Sequence, residues 1–215
     1  MEKVSLDNNM DNEYPRKIAW KPGNMLYPLP AVLVTTSDGK GRDNVFTVAW
    51  AGTICTNPPM VSISVKESRY SHELLMQTKE FVINLTTEKM TFAVDYCGVR
   101  SGRDEDKFEK TGLTKLKAPH VCAPMIAESP VCIECRVTEV RELGSHDMFL
   151  AEVVGVHVDP QYVDEQQKFH LEKADPIVYS HGDYFSLGKK KGRFGYSVAK
   201  KTKNRKKAEK IKKNK

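Results

Sequence analysis

Residues 45–65 constrain the fold most, because they contain no charged residue in a chain whose residues are 29% Asp, Glu, Lys or Arg. An uncharged run of this length could cross a membrane as a helix. The dipeptide Pro58-Pro59 argues against that helix, because neither proline has a backbone N–H donor and neither can continue a helical turn. The pattern instead predicts two strands, Val45–Ala51 and Met60–Val65, and a loop between them, Gly52–Asn57.

This predicted loop, Gly52–Asn57, offers backbone N–H groups and short hydroxyls but contains no acid and no base. Such a surface can hydrogen-bond a polar or phosphorylated ligand, whereas proton transfer needs a titratable side chain. On these residues alone, a plain connection between two buried strands is the simpler interpretation.

The rest of the chain is predicted to be mainly β. Further strands are predicted at Ala31–Thr36, Glu80–Leu85, Val131–Arg141, Asp147–Val158 and Pro176–Ser180. Helices are predicted at His72–Thr78, with Ser68 or Ser71 as the N-cap, and at Thr86–Val99. A charged loop is predicted at Arg100–Gly112. Many short strands with a few helices between them favour a closed β structure with peripheral helices.

Charge is distributed unevenly along the chain. Residues 189–215 contain 14 Lys or Arg and one Glu, a net charge of +13, so the overall +6 leaves −7 for residues 1–188. We therefore expect a disordered N-terminal segment at 1–15, one domain at 16–188 and a basic, disordered tail at 189–215. An alternative is a non-catalytic binding module whose tail binds nucleic acid or another anionic partner.

The cysteines and histidines show no pattern typical of a metal site. Five cysteines, an odd number, and a polar N-terminus without an apolar leader favour reduced thiols and a cytoplasmic protein. Cys132 and Cys135 have the C-x-x-C spacing, but residues three apart on a strand face opposite sides of a sheet. No histidine spacing matches a metal motif, so the sequence predicts no metal site and no catalytic side chain.

One ordered series of residues carries a resemblance to a known family. The series is Asn44-x-x-Thr47-x-x-Trp50, then Thr53-x-Cys55-x-Asn57-Pro58-Pro59, then an apolar strand and Ser71. It resembles the flavin reductase-like family, closest to the flavoredoxin branch, and the resemblance covers residues 16–187. The family's loop reads Ser-x-Ser-x-Asp-Pro-Pro. This chain departs from it at Thr53, Cys55 and Asn57, and these departures leave the backbone N–H donors in place.

The resemblance implies an FMN-binding split β-barrel with six to seven antiparallel strands of Greek-key type. It implies an oxidoreductase in which bound FMN passes electrons from NAD(P)H or a protein donor to a flavin or protein acceptor, and it implies a homodimer. The matched residues at the flavin ring are Asn44, Trp50, Lys107 and His146. Those at the ribityl and pyrimidine groups are Thr47, Thr53, Ile54, Cys55 and Thr56. Arg69 and Ser71 would bind the phosphate, and Tyr179, Tyr184 and Phe185 are candidates for stacking on the ring.

Overall fold

The structure, a computed structural model, describes residues 17–199 of the 215-residue chain. The N-terminal segment 1–15 and residues 200–215 of the basic tail lie outside the described residues. The strands are β1 Leu29–Pro30, β2 Val32–Ser37, β3 Asp43–Val48, β4 Ala51–Cys55, β5 Met60–Val65, β6 Glu80–Asn84, β7 Lys115–Leu116, β8 Met125–Ile126, β9 Val131–Glu142, β10 Asp147–Val158, β11 Ile177–Ser180 and β12 Asp183–Ser186. The α-helices are α1 Tyr70–Thr78, α2 Thr91–Val99 and α3 Lys107–Thr111. Short 3-10 helices lie at Glu88–Met90, Pro160–Tyr162 and Leu171–Ala174.

Seven strands form one antiparallel sheet in the order β3-β2-β6-β9-β10-β5-β4. β3 and β4 are at opposite ends of this order, yet only Ala49 and Trp50 separate them in the sequence. Because so short a link spans only about 10 Å, the sheet must curl until its two end strands lie close together. The mainly β, antiparallel fold with few helices is therefore confirmed. A second sheet, β1-β11-β12, and the pair β7-β8 lie beside it.

One apolar cluster fills the inside of the curled sheet. It contains Val32, Val34, Phe46, Val48, Val61, Ile63, Val65, Leu75, Phe81, Ile83, Cys135, Phe149 and Ala151. Six strands contribute to it, and Leu75 joins it from α1, which fixes that helix against the sheet. Full burial of a side chain such as Phe81 or Phe149 contributes about 1.5–3 kcal/mol.

A second apolar cluster holds α2 and α3 on the outer face of β2 and β3. Leu33 and Val45 of the strands pack there with Val94 and Cys97 of α2 and Phe108 of α3. Leu33 points outward while its neighbours in β2 point inward, as the two-residue period of a strand requires. This packing places both helices beside the strand β3.

Cys132 and Cys135 lie on opposite faces of β9, as the strand period predicts. Cys135 belongs to the cluster inside the sheet, and Cys132 belongs to a third cluster outside it, with Val82 and Val121. The two thiols therefore do not form a joint redox or zinc site.

The prediction of a loop at Gly52–Asn57 is wrong. Residues 51–55 form the edge strand β4, in which Gly52 pairs with Ser62 and Thr53 with Val61 of β5. The turn is shorter and includes the two prolines, at 56–59. Gly52 weakens a strand, but an edge strand has only one neighbour, and the pairing with β5 outweighs the local preference.

The predicted ends of two helices and one predicted loop also need correction. The helix expected at Thr86–Val99 begins only at Thr91, after a 3-10 turn. The residue at the N-cap of α1 is Arg69, not Ser68 or Ser71, and no side chain caps this helix. Within the loop predicted at Arg100–Gly112, residues 107–111 form α3.

The helix α3 has clear local causes. The Asp106 carboxylate accepts hydrogen bonds from the backbone N–H groups of Phe108 and Glu109, at 2.9 and 3.3 Å. Gly112 ends the helix in the left-handed conformation, with φ of 70°. Because most residues of this segment are charged, Asp106 and Gly112 were not recognised from the sequence as the two capping residues. Within residues 17–199, no helix is long and apolar enough to cross a membrane.

Candidate functional site

Two adjoining clefts lie where β3, β5, α1 and α2 meet. Their volumes are about 210 Å³ and about 290 Å³, and Lys66 and Arg69 line both of them. We call the first the aromatic cleft and the second the cationic cleft, after the side chains described below. A ligand with one flat end and one anionic end could occupy both at once.

The aromatic cleft is lined by Ala31, Thr47, Val48, Ala49, Trp50, Ser64, Val65, Lys66, Arg69, Gly98, His146, Tyr179 and Tyr184. Trp50 follows β3 and is 43% exposed, an unusual position for a ring of this size. Its ring meets that of His146 edge to face, with the centroids 5.0 Å apart. Tyr179 and Tyr184 form a second ring pair, with their centroids 5.8 Å apart. The cleft thus presents several rings against which a planar ligand can pack.

Two titratable rings of this cleft are neutral near pH 7. Burial lowers the pKa of His146, and the nearby Lys66 lowers it further, so its imidazole is uncharged. Burial raises the pKa of Tyr184 to about 12, and the Asp95 carboxylate adds to this shift. The aromatic cleft therefore offers hydrogen-bonding groups with little charge of their own, apart from Lys66 and Arg69 at its border.

The cationic cleft is lined by Asn44, Phe46, Lys66, Ser68, Arg69, Tyr70, Ser71, Arg100, Ser101, Gly102 and Lys107. Four of these carry basic groups, and none is a carboxylate. The first turn of α1 opens into this cleft, and its backbone N–H groups have no side-chain cap. Free N–H groups and the helix dipole both favour an anion at this position.

Asn44 and Ser71 form one wall of the cationic cleft. Asn44 Nδ2 donates a hydrogen bond to Ser71 Oγ at 2.7 Å, and both residues are buried. Gly102 passes so close to them that a Cβ at this position would lie 2.1 Å from Asn44 Oδ1. Asn44 can therefore keep this position beside Ser71 only because residue 102 has no side chain.

Lys107 is buried at 3% exposure, and its amine donates to two carbonyl oxygens at the end of α2. These are the carbonyls of Cys97, at 3.1 Å, and Arg100, at 3.3 Å. Burial lowers the pKa of Lys107 to about 8. Its amine has three N–H donors, so one remains after these two contacts. The Lys107 amine thus caps the C-terminal end of α2, and Lys107 also lines the cationic cleft.

Most of the residues predicted from the resemblance meet at these two clefts. Thr47, Trp50, Arg69, His146 and Tyr184 line the aromatic cleft, and Asn44, Arg69, Ser71 and Lys107 line the cationic cleft. The hydroxyl of Thr47 donates to the Val94 carbonyl. Of the residues predicted at the ring, Trp50 lines the aromatic cleft, whereas Asn44 and Lys107 line the cationic cleft.

The four predicted residues Thr53, Ile54, Cys55 and Thr56 are placed elsewhere. The first three lie on the edge strand β4 and Thr56 in the turn after it, and none lines either cleft. All but Cys55 are exposed. Their contact with a flavin remains a prediction from the resemblance.

Several cleft residues were not predicted from the sequence: Lys66, Arg100, Ser101 and Gly102. A signal existed for one of them, since Lys66 follows a strand directly and precedes Arg69. The segment Arg100-Ser101-Gly102 looked like solvated surface, and only the packing of α2 against β3 brings it to Asn44.

Comparisons with known proteins identify the family of this chain. The family model described as the flavin reductase like domain matches residues 25–188. The structure of flavoredoxin from Desulfovibrio vulgaris (Miyazaki F) is 28% identical, with a TM-score of 0.80 over 86% of this chain and 100% of that one. An uncharacterised protein of Archaeoglobus fulgidus is 34% identical over 61% of this chain and 73% of its own length. The FMN reductase (NADH) RutF of Pantoea ananatis is 24% identical over 59% of this chain and 64% of its own length.

The match of the family model covers well over half of the chain, and the two clefts lie within it. The chain therefore belongs to the flavin reductase-like family, a flavin-binding family whose solved members include flavoredoxins with the split-barrel fold.

Proposed function

We propose that this protein is an FMN-dependent oxidoreductase, in which FMN accepts electrons from a reduced nicotinamide or a protein donor and passes them to a flavin or protein acceptor. The observation that carries this proposal is the pairing of the two clefts. One presents aromatic rings and the other presents basic side chains at an uncapped helix N-terminus. FMN has the matching form, a flat ring system at one end and a single phosphate at the other.

The residues of the cationic cleft fit the phosphate. The guanidinium of Arg69 and the first backbone N–H groups of α1, which no side chain caps, provide charge and donors at one place. Lys66 and Arg100 add positive charge nearby. One such site accommodates FMN, whereas FAD would need contacts for a second phosphate and room for an adenosine.

The residues of the aromatic cleft fit the ring system. Trp50, Tyr179 and Tyr184 offer faces and edges, and His146 offers a neutral imidazole. FMN supplies the redox chemistry when it is bound, since its ring can take up a hydride or electrons. This chain then has to bind the ring, orient it and limit its contact with water. The two clefts accordingly contain no paired carboxylates that could serve as acid and base.

The identity of the electron donor is inferred from similarity to two relatives. The Pantoea ananatis relative is named an NADH-dependent FMN reductase, which favours a reduced nicotinamide as donor. The flavoredoxin relative favours a flavin that stays bound and serves as an electron carrier. The homodimer implied by the family resemblance is part of this proposal, and sedimentation of the flavin-loaded protein checks it.

The first experiment identifies the flavin. The purified protein is reconstituted with FMN or with FAD, and the bound flavin is released by heat and identified chromatographically. We expect FMN in one equivalent per chain. Trp50→Ala should weaken FMN binding at least about tenfold, equal to about 1.4 kcal/mol. Phe185→Ala, which removes a ring of similar exposure outside both clefts, should not. Binding of FAD alone, or of no flavin, would refute the proposal.

The second experiment tests the reaction. FMN-loaded protein is mixed rapidly with NADH or NADPH without oxygen, and bleaching of the flavin absorbance is followed. Bleaching by either nucleotide supports the reductase. Bleaching only by a reduced protein carrier supports an electron carrier and rejects the nicotinamide step. If no donor bleaches the bound flavin, the protein binds flavin without being an oxidoreductase.

A further inference from the structure

Outside both clefts, one buried carboxylate faces two imidazoles. Glu134 lies on β9 and has no exposed surface, which is rare for a glutamate. Its Oε1 is 2.8 Å from Nδ1 of His120 and 2.6 Å from Nε2 of His157. These three potential ligand atoms all lie within 4.8 Å of one another. No sequence motif indicates this cluster, since its members are 14 and 23 residues apart along the chain.

Backbone donors hold the Glu134 carboxylate in one orientation. Its Oε2 accepts the N–H groups of His120 and Val121, at 2.7 and 3.1 Å. With Oε2 occupied in this way, Oε1 is directed at the two imidazoles. Hydrogen bonds of this kind, made to the second oxygen of a ligating carboxylate, are typical supports of protein metal sites.

The sheet itself places two of the three side chains. Glu134 is paired with Gly155, and His157 with Cys132, so Glu134 and His157 are diagonal neighbours on the outer face of β9 and β10. His120 comes from the segment between β7 and β8. Val121, the next residue, packs in the cluster that covers this same face.

Gly155 keeps the space between the three residues open. A Cβ at this position would lie 2.5 Å from Glu134 Oε1 and 2.9 Å from His120 Nδ1. The pairing of β9 and β10 also shifts its register between Val153 and Gly155. Bulges of this kind re-aim side chains and are frequent next to functional sites. The need for a glycine at 155 is therefore a second observation, independent of the hydrogen bonds, that the three side chains require this space.

We propose that His120, Glu134 and His157 bind a divalent transition metal ion of the Zn²⁺ class. Two imidazole nitrogens and one carboxylate oxygen form a ligand set that zinc prefers, and three protein ligands leave one position for water. In a tetrahedral site, ligand atoms at normal bond lengths are separated by about 3.3 Å. From 2.8 and 2.6 Å, the two contacts at Oε1 therefore need to lengthen by about 0.5 and 0.7 Å, and the two imidazole nitrogens, which lie within 4.8 Å of each other, need the same separation of about 3.3 Å. The side chains of His120 and His157 are 52% and 36% exposed, so an ion can reach them from solvent.

This metal site is separate from the flavin clefts. His146 lies just before β10, and His157 lies near the other end of that strand. Ten residues of strand correspond to a separation of about 30 Å. The basic residue at the site, Arg136, donates to the His120 carbonyl and pairs with Glu80 at 3.3 Å, so its charge is already matched.

Binding is tested on the untagged, FMN-loaded, full-length protein. Zn²⁺ is titrated calorimetrically, and Co²⁺ is titrated by visible absorption as a spectroscopic probe. We expect one Zn²⁺ per chain and intense Co²⁺ bands typical of four-coordinate geometry. His157→Gln and His120→Gln should each weaken Zn²⁺ affinity at least about 100-fold. Glu134→Gln should do the same, and circular dichroism checks that each variant is folded.

Two controls separate this site from other metal-binding side chains. His181→Gln removes an exposed histidine elsewhere, and Cys122→Ser removes the exposed thiol nearest in sequence to His120. Both variants should keep the affinity of the unmodified protein. The proposal fails if Zn²⁺ binding does not saturate at one per chain, or if His157→Gln binds as tightly as the unmodified protein. It also fails if Cys122→Ser abolishes binding.

Discussion

Asn44 Nδ2 donates a hydrogen bond of 2.7 Å to Ser71 Oγ, and this contact joins β3 to the first turn of α1. The two residues are 27 positions apart and are only 4% and 1% exposed. In the buried wall that they form, each side chain holds the other in place. The geometry of the proposed phosphate site therefore depends on a contact between a strand and a helix.

Asn44→Ala should weaken FMN binding about tenfold, because the Ser71 hydroxyl loses its partner and the wall of the cleft loses a donor. It should also lower the free energy of unfolding by about 1–3 kcal/mol, the cost of a buried polar group without a partner. Flavin fluorescence titration and urea unfolding measure the two effects. Asn57→Ala, which removes an exposed asparagine from a turn, is the matched control. Equal FMN affinity in both variants would contradict the role of Asn44.

Gly102→Ala should weaken FMN binding without removing any polar group. The new Cβ would lie 2.1 Å from Asn44 Oδ1 and 3.1 Å from Tyr70 Cδ1, so the Asn44 side chain must move. Overpacking of this kind costs about 1–3 kcal/mol. Gly188→Ala is the control, because nothing lies within 4 Å of a Cβ at that position. If Gly102→Ala binds FMN normally, the position of Asn44 does not control the cleft.

Lys107 should make stability rise with pH between about pH 8 and its unfolded pKa near 10.5. Burial lowers the pKa of Lys107 to about 8 in the folded protein. Across this window the unfolded chain therefore binds more protons at Lys107 than the folded chain does. Stability rises with pH wherever that is so. The gain from this residue is on the order of 3 kcal/mol.

The measurement is urea unfolding at several pH values for the unmodified protein and for Lys107→Met. From pH 8 to pH 10.5, the unfolding free energy of the unmodified protein should rise relative to that of Lys107→Met. Comparing the two proteins cancels most of the opposite contribution of Cys97, whose thiol pKa burial raises to about 11. Lys110→Met changes an exposed lysine of the same helix and should give a pH curve parallel to that of the unmodified protein. A parallel curve for Lys107→Met would show that the Lys107 pKa is normal.

Removing residues 189–215 should leave the fold and FMN binding intact. The family match ends at 188, and the described part of the tail, 189–199, is exposed. Like charges in such a segment repel one another, which opposes packing. Melting temperature and flavin content of the truncated and full-length proteins are compared. A large fall in either would mean that the tail packs on the domain. Salt-dependent binding of RNA or DNA, lost on truncation, would support the alternative role of the tail.

The sequence by itself determined the strands whose pattern is strong. The uncharged run interrupted by Pro58-Pro59 excluded a membrane helix, and the two-residue period placed Cys132 and Cys135 on opposite faces. The ordered series from Asn44 to Ser71 was sufficient to identify the family. These features are local or follow from one strand, so they can be read without knowing how the chain folds back on itself.

Only the tertiary structure decided the remaining features. The strand β4 exists because β5 pairs with it, although Gly52 disfavours a strand locally. Lys107 is buried because α3 packs against α2, which no local pattern of charges reveals. His120, Glu134 and His157 meet because β9 pairs with β10 and a distant loop covers their outer face. Contacts between residues far apart in sequence depend on strand register and packing, and a single sequence does not state either one.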